Sequence, residues 1–292
     1  MKKNILVTGG SGFLGSHLCD ELSNLGHKVI IFDKMISPYL KKNQTMIKGD
    51  FENLNVLNKY LKKINVVFHF AAQSNLGQSK SNPAKFLNNN IIATSKLLDK
   101  LTKYKNIKHF IFASTLYVSS DKGSFYRVSK HSCELIIEEY KRNFGLNYTM
   151  LRFGTVYGTR ANSENSIKRT LLEAVTKNRI SIPGTGEETR EFIYVKDAVN
   201  ASIKAMNSKY YNENLLVTGL NRITLKELSK IINEIFNNKL KMKFISPRNS
   251  HYKFTPYTFF KNKNKKIILE YYHELSEGIL EIIDEIENKK ND

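Results

Sequence analysis

The sequence predicts an α/β protein, a doubly wound parallel sheet joined to a smaller mixed α/β lobe in the C-terminal half. Three observations predict it. Short apolar runs recur without polar alternation, as in Asn4-Ile5-Leu6-Val7, Lys28-Val29-Ile30-Ile31-Phe32 and Phe110-Ile111-Phe112-Ala113. That is the pattern of strands buried on both faces. Between the runs lie segments with apolar residues at helical spacing, beginning with Leu14, Leu18, Leu22 and Leu25. Alternating strands and helices build a parallel sheet, because each strand must return by a crossover. Third, glycines crowd the first strand-to-helix passage, where the backbone must turn tightly or meet a ligand closely.

Composition narrows the class. A chain of 292 residues can bury a full core, in one large α/β unit or one and a half domains. Apolar residues at 41% and aromatics at 11% are those of a folded protein. No apolar run approaches a membrane span, and Met1-Lys2-Lys3 leads straight into a strand, so neither membrane attachment nor a signal peptide is expected. Cys19 and Cys133 fall on separate predicted helices and suggest no disulfide framework, which fits a cytoplasmic location. A net charge of +19 could attract nucleic acid or anionic metabolites. The lysines, however, are spread along the chain among many asparagines, so no nucleic-acid partner is expected. Only Lys261 to Lys266 form a dense run, read as a solvated loop. No His or Cys spacing suggests a metal site.

In chain order, Thr8-Gly9-Gly10-Ser11-Gly12-Phe13-Leu14-Gly15 follows the first strand. Gly10, Gly12 and Gly15 satisfy G-x-G-x-x-G, and Gly9, Gly12 and Gly15 the related G-x-x-G-x-x-G. The helix behind them directs free N–H groups and its positive dipole end at whatever lies over the turn, usually a pyrophosphate. The second strand ends in Asp33, where a carboxylate can accept bonds from a ribose diol, completing a Rossmann-type dinucleotide fingerprint. An acid there repels a 2′-phosphate, so NAD is expected over NADP, although Lys34 is adjacent. Thr45-Met46-Ile47-Lys48 is the next strand, placing Asp50 and Phe51 at the sheet edge that binds ligands. Leu54 to Leu61 reads as a helix and Asn65 to Phe70 as a strand, with His69 a packed strand residue. Ala71-Ala72-Gln73 then let a cofactor approach the backbone. A long helix after Pro83 carries Phe86, Leu87, Asn90, Ile91, Thr94, Leu97, Leu98 and Leu101, and the strand Phe110 to Ala113 ends in Ser114-Thr115.

Tyr126-Arg127-Val128-Ser129-Lys130 opens the next helix. Tyrosine and lysine at i and i+4 share one face, so the ammonium can stabilise a phenolate and lower a phenol pKa that starts near ~10. The Thr115 hydroxyl could hold the substrate oxygen from which the tyrosine takes a proton. The sheet domain is expected to span residues 1–153, with returning segments near 191–220 that include Phe192 to Val195 and Leu215 to Thr218. The lobe takes 154–190 and 221–292, with helices at Ile167 to Val175, Leu225 to Ile235 and Leu275 to Ile286. Ligand should lie between the two, at the carboxyl ends of the strands.

Taken together, the motifs resemble those of the extended short-chain dehydrogenase/reductase superfamily, in its UDP-glucose 4-epimerase-like epimerase/dehydratase branch. They are Gly9-x-x-Gly12-x-x-Gly15, Asp33, Asp50, His69-Phe70-Ala71-Ala72, Ser79-x-x-x-Pro83, Asn90-Ile91-Ile92-Ala93-Thr94, Ser114-Thr115 and Tyr126-x-x-x-Lys130. Downstream, Arg152 to Arg160 resembles R-x-x-N-V-Y-G-P-R, and Gly184 to Asp197 resembles G-x-G-x-x-x-R-D-F-x-Y-V-x-D. The resemblance implies NAD held by Gly9, Gly12, Phe13, Leu14, Gly15, Asp33, Asp50, Phe51, Ala71, Ala72, Gln73 and Asn90, together with Tyr126 and Lys130. It implies that Tyr126 transfers the proton, Lys130 binds the nicotinamide ribose and tunes Tyr126, and Thr115 bonds the sugar hydroxyl. Arg190 would pair with the diphosphate of a nucleotide-sugar substrate, with Thr155 and Arg160 also on the substrate side, while Asp197 fixes the returning strand and helix. A homodimer paired through the helices Asn90 to Tyr104 and Tyr126 to Tyr140 is implied as well.

Four departures bear on the substrate. Thr155 replaces a usual Asn, Thr159 a usual Pro and Ala93 a common Gly, and the segment between Thr115 and Tyr126 is short. Dehydratases of this family carry an Asp-Glu pair just after the threonine, where this chain has Leu116-Tyr117, neither a donor of suitable pKa. Epimerisation through a transient 4-ketosugar is therefore the expected reaction, with ketosugar reduction second and dehydration disfavoured. A non-catalytic dinucleotide-binding protein would not need Thr115, Tyr126, Lys130 and Arg190 together.

Overall fold

The computed structural model describes residues 2–245 and 265–291, so residues 261–264 of the lysine run lie outside the described residues. Eight parallel strands form the main sheet: β1 (Asn4–Thr8), β2 (Lys28–Asp33), β3 (Gln44–Lys48), β4 (Val66–His69), β5 (His109–Thr115), β6 (Tyr148–Phe153), then Glu213–Val217 and Lys265–Lys266. From one edge to the other the order is Lys265–Lys266, Glu213–Val217, β6, β5, β4, β1, β2, β3. The direction of winding reverses between β1 and β4, the switch point at which open α/β sheets bind ligands. There Thr8 lies level with Phe32 on one side and His69 on the other. The carboxyl ends of β1, β2 and β4 are thus flush.

Helices cover both faces because both faces of every central strand are apolar. On one face Leu18 and Leu22 of the helix Phe13–Asn24 pack with Val199 and Ala201 of the helix Val195–Lys204. On the other, Leu97, Leu98 and Leu101 pack with Cys133 and Ile137 of the helix Ser124–Phe144. Each fully buried leucine contributes about 1.5–3 kcal/mol. Gly145, at φ 73°, ends the Ser124–Phe144 helix in the left-handed conformation that suits glycine. A third cluster joins Ile167 and Leu171 to Leu228, Ile232, Ile279 and Ile283, the core of the second half. Among the described residues no helix is long and apolar enough to cross a membrane. Cys19 and Cys133 are both buried free thiols.

Two expectations are corrected. Phe192–Tyr194 does not return to the main sheet but pairs with Thr155–Tyr157 in a separate two-stranded sheet. The Gly154 N–H bonds the Val217 carbonyl (3.0 Å), ending the main-sheet ladder just past β6, and the chain then leaves the plane. Lys265 and Lys266 are a sheet edge rather than a loop. They pair with Leu215 and Leu216, while Lys265 meets Glu213 (2.5 Å) and Lys266 donates to the Gly219 carbonyl (2.6 Å). A strand made of two lysines has no apolar pattern to announce it. The long helix after Pro83 also contains a π-turn over Asn88–Ile92.

Candidate active site

The glycine turn is built by close backbone approach. Gly9 has φ 75°, and a Cβ there would lie 2.5 Å from the Ala71 nitrogen. A Cβ on Gly15 would lie 2.1 Å from the Gly9 carbonyl oxygen. The Gly12 N–H donates to that same oxygen (3.1 Å), so the turn folds onto the residues that follow β4. The helix behind it starts at Phe13 with no side-chain cap on Gly12. Its first N–H groups therefore face the switch point, the arrangement that receives a phosphate anion. The residues present thus fit the pyrophosphate of a dinucleotide.

Asp33 is oriented by its neighbours: its carboxylate accepts from the Ser11 N–H (3.1 Å) and the Met35 N–H (3.1 Å). A fixed anion beside the glycine turn should discriminate against a 2′-phosphate. NAD is expected to bind more tightly than NADP, and Asp33→Ala to narrow the gap. Titrations in which the unaltered protein prefers NADP would refute the assignment.

Asp50 is exposed after β3 and accepts the Glu52 N–H (3.0 Å). The Phe51 ring packs edge-on against Phe32 (5.6 Å) and His69 (5.5 Å). Asn90 is 3% exposed, accepts from the Gln73 N–H (2.8 Å), and donates to the Gln73 carbonyl (3.0 Å) and the Ser129 hydroxyl (3.0 Å). With its amide committed in this way, Asn90 shapes the loop carrying Gln73. His69 is packed as expected, between the Thr8 (2.6 Å) and Thr94 (3.0 Å) hydroxyls. Burial lowers its pKa to about 3, so it stays neutral.

A cavity of about 460 Å³ opens at the carboxyl ends of β5 and β6. It brings together Phe13, Leu14, Ala72, Thr115, Tyr126, Lys130, Thr155 and Arg190. Gly123 (φ 95°) and Ser124 (φ 51°) turn the chain sharply into the helix that presents Tyr126. The Tyr126 ring sits edge-on to Phe86 (6.4 Å) and Tyr117 (6.3 Å), and its hydroxyl is hydrogen-bonded with Thr115. Burial raises the phenol to about 12, with the Thr115 bond pulling the other way. The lowered phenol expected from the sequence is therefore not what the protein groups alone produce. The physical reason is the aim of Lys130, whose ammonium donates to the Ala113 carbonyl (2.6 Å) and lies 4.6 Å from the centre of the Phe112 ring. Burial lowers Lys130 to about 8, opposed by Cys133 and Glu134.

Arg190 is 8% exposed in the cavity wall, and its Nη1 donates to the Thr189 carbonyl (2.7 Å). Arg160 does not line the cavity. Its backbone at φ 62° carries the side chain to Asp20 (2.8 Å) and over the Tyr39 ring (4.2 Å). Its N–H meets the Glu285 carboxylate (3.2 Å), which makes it a staple between the first and last helices. Sequence reasoning overlooked Asn165, Arg169 and Thr170 as cavity residues. Asn165 caps the helix Ser166–Lys177, and an N-cap followed by an arginine one turn on was the available signal. Leu116 and Tyr117 also line the cavity, which has no Asp or Glu among its described residues. No cluster of metal-ligating side chains occurs among the described residues either.

A flush switch point and an anion-receiving turn define a dinucleotide-binding α/β protein, with a tyrosine and a threonine paired in the neighbouring cavity. Over residues 5–215 the sequence matches the NAD dependent epimerase/dehydratase family, and the chain belongs to that family. A putative UDP-glucose 4-epimerase of Methanocaldococcus jannaschii is 34% identical over 251 residues, 78% of this chain and 81% of the relative. The structure of UDP-glucuronic acid 4-epimerase from Bacillus cereus, in complex with UDP-glucuronic acid and NAD, superposes with a TM-score of 0.84 at 26% identity, covering 98% of this chain and 99% of the other. UDP-glucose 4-epimerase from Thermotoga maritima, with UDP-glucose, gives 0.81 at 30% identity over 99% and 100% of the two chains.

Proposed function

We propose that this protein is a nucleotide-sugar epimerase that inverts C4 of an NDP-hexose through a transient 4-ketosugar. The observation that carries this reading is the cavity wall. Thr115, Tyr126 and Lys130 converge there, while Leu116 and Tyr117 stand where a dehydratase needs carboxyl groups. Gly9, Gly12, Phe13, Leu14 and Gly15 would hold the pyrophosphate of NAD and Asp33 its ribose diol. Bound NAD supplies the two-electron acceptor for the sugar carbon and gives the electron pair back. Thr115 receives the sugar hydroxyl, and Tyr126 takes its proton and later returns it. Lys130 would bind the nicotinamide ribose and bring a cation that favours the phenolate. Arg190 and Arg169 offer guanidinium forks suited to a diphosphate, and Thr155 faces the sugar.

Turnover on a panel of nucleotide sugars tests the proposal. The expected product is the C4 epimer, formed with no net change in NAD. A dehydrated product, or stoichiometric consumption of NADH or NADPH, would overturn it. The alkaline side of the pH profile is also expected to report Lys130. It is charged below about pH 8 and neutral above, so kcat/KM should fall as pH rises through that region. Lys130→Met should lose that limb and bind NAD more weakly.

A homodimer is proposed through the helical residues 83–101 and the helix Ser124–Phe144. Ile92, Val128 and Leu135 are 45%, 39% and 55% exposed, and the last two lie seven apart on one helix face. Sedimentation at micromolar concentration should show a dimer and Leu135→Glu a monomer. A monomeric unaltered protein would refute this.

A further inference from the structure

One turn beyond Lys130, the same helix carries Glu134, a carboxylate only 2% exposed. It accepts two bonds from Arg152 of β6, from Nε (3.0 Å) and Nη2 (2.7 Å). It accepts a third from the Ser114 hydroxyl of β5 (2.5 Å). Ser114 lines the cavity and immediately precedes Thr115. A buried ion pair is poor value for stability alone, since a well-packed apolar pair of similar volume is often as good. Its position, bridging the two strand ends and the helix that bear the reacting side chains, gives it a different use.

We propose that Glu134 is a positioning residue for catalysis: through Ser114 it fixes the end of β5 on which Thr115 stands, and through Arg152 it ties that strand end to β6 and to the helix that carries Tyr126 and Lys130. The inference rests on the roles proposed above for Tyr126 and Lys130. The three bonds of Glu134 support it: one buried carboxylate joins the residue next to Thr115 on β5, the guanidinium of β6 and the helix one turn beyond Lys130. Its charge also opposes, after Cys133, the burial that lowers Lys130 to about 8.

The test is steady-state kinetics of NAD-saturated enzyme, with the nucleotide sugar that the unaltered protein turns over. In Glu134→Gln kcat is expected to fall by roughly 10²-fold, the cost of a small misplacement of reacting groups, with KM much less changed. Glu134→Asp, which keeps the carboxylate, should recover part of the loss. If Glu134→Gln leaves Arg152 uncompensated and the variant does not fold, Glu134→Gln/Arg152→Gln removes both buried charges and should show the same split between kcat and KM. A folded variant with a lower melting temperature but unchanged kcat would overturn the inference and mark Glu134 as structural only. That result would leave the roles of Tyr126 and Lys130 standing, because those fail separately, in the Tyr126→Phe assay.

Discussion

Tyr126→Phe is expected to lower turnover roughly 10²–10⁴-fold, the usual contribution of a positioned acid–base group. The substitution removes the phenol oxygen bonded with Thr115 but keeps the ring wedged between Phe86 and Tyr117. Stability and NAD affinity should therefore change little. KM should change much less than kcat, because the hydroxyl matters chiefly as charge develops in the transition state. The double variant Tyr126→Phe/Lys130→Met should lose less than the sum of the single losses, since the lysine acts partly through the tyrosine. A Tyr126→Phe enzyme that retains most of its turnover on a confirmed substrate would refute the mechanism. The fold and the family would be untouched by that result.

Gly15→Ala is expected to weaken NAD binding by at least about tenfold, equivalent to about 1.4 kcal/mol. The new methyl group would need to occupy a point 2.1 Å from the Gly9 carbonyl oxygen and 3.0 Å from the Gly10 Cα. Both neighbours are backbone, so no side chain can swing aside. The helix Phe13–Asn24 has to back away from the turn, taking its uncapped N–H groups out of line with the pyrophosphate. Leu18 and Leu22 of the same helix are fully buried, so the displacement should also lower the melting temperature. Calorimetric titration with NAD checks the first effect and thermal unfolding the second. Unchanged affinity would show that the turn is not the pyrophosphate site.

The sheet, the order of its first five strands and the glycine turn were legible in the sequence. Their causes are local: a strand buried on both faces must be apolar throughout, and a turn that meets another backbone must lack a Cβ. The pairing of Tyr126 with Lys130 on one face was legible for the same reason, since helical spacing alone sets it. Tertiary structure decided where long side chains aim. Arg160 and Asp20 meet across 140 positions of sequence, and nothing near Arg160 signals that it faces the first helix and not the substrate side. Asn90 is turned onto Gln73 by a π-turn, and the ammonium of Lys130 onto the Ala113 carbonyl. Lys265 and Lys266 become a sheet edge because Glu213 and the Gly219 carbonyl await their charges. Short-range pattern records which face of an element is buried; the partner that a polar group finds there depends on residues the chain brings in from far away.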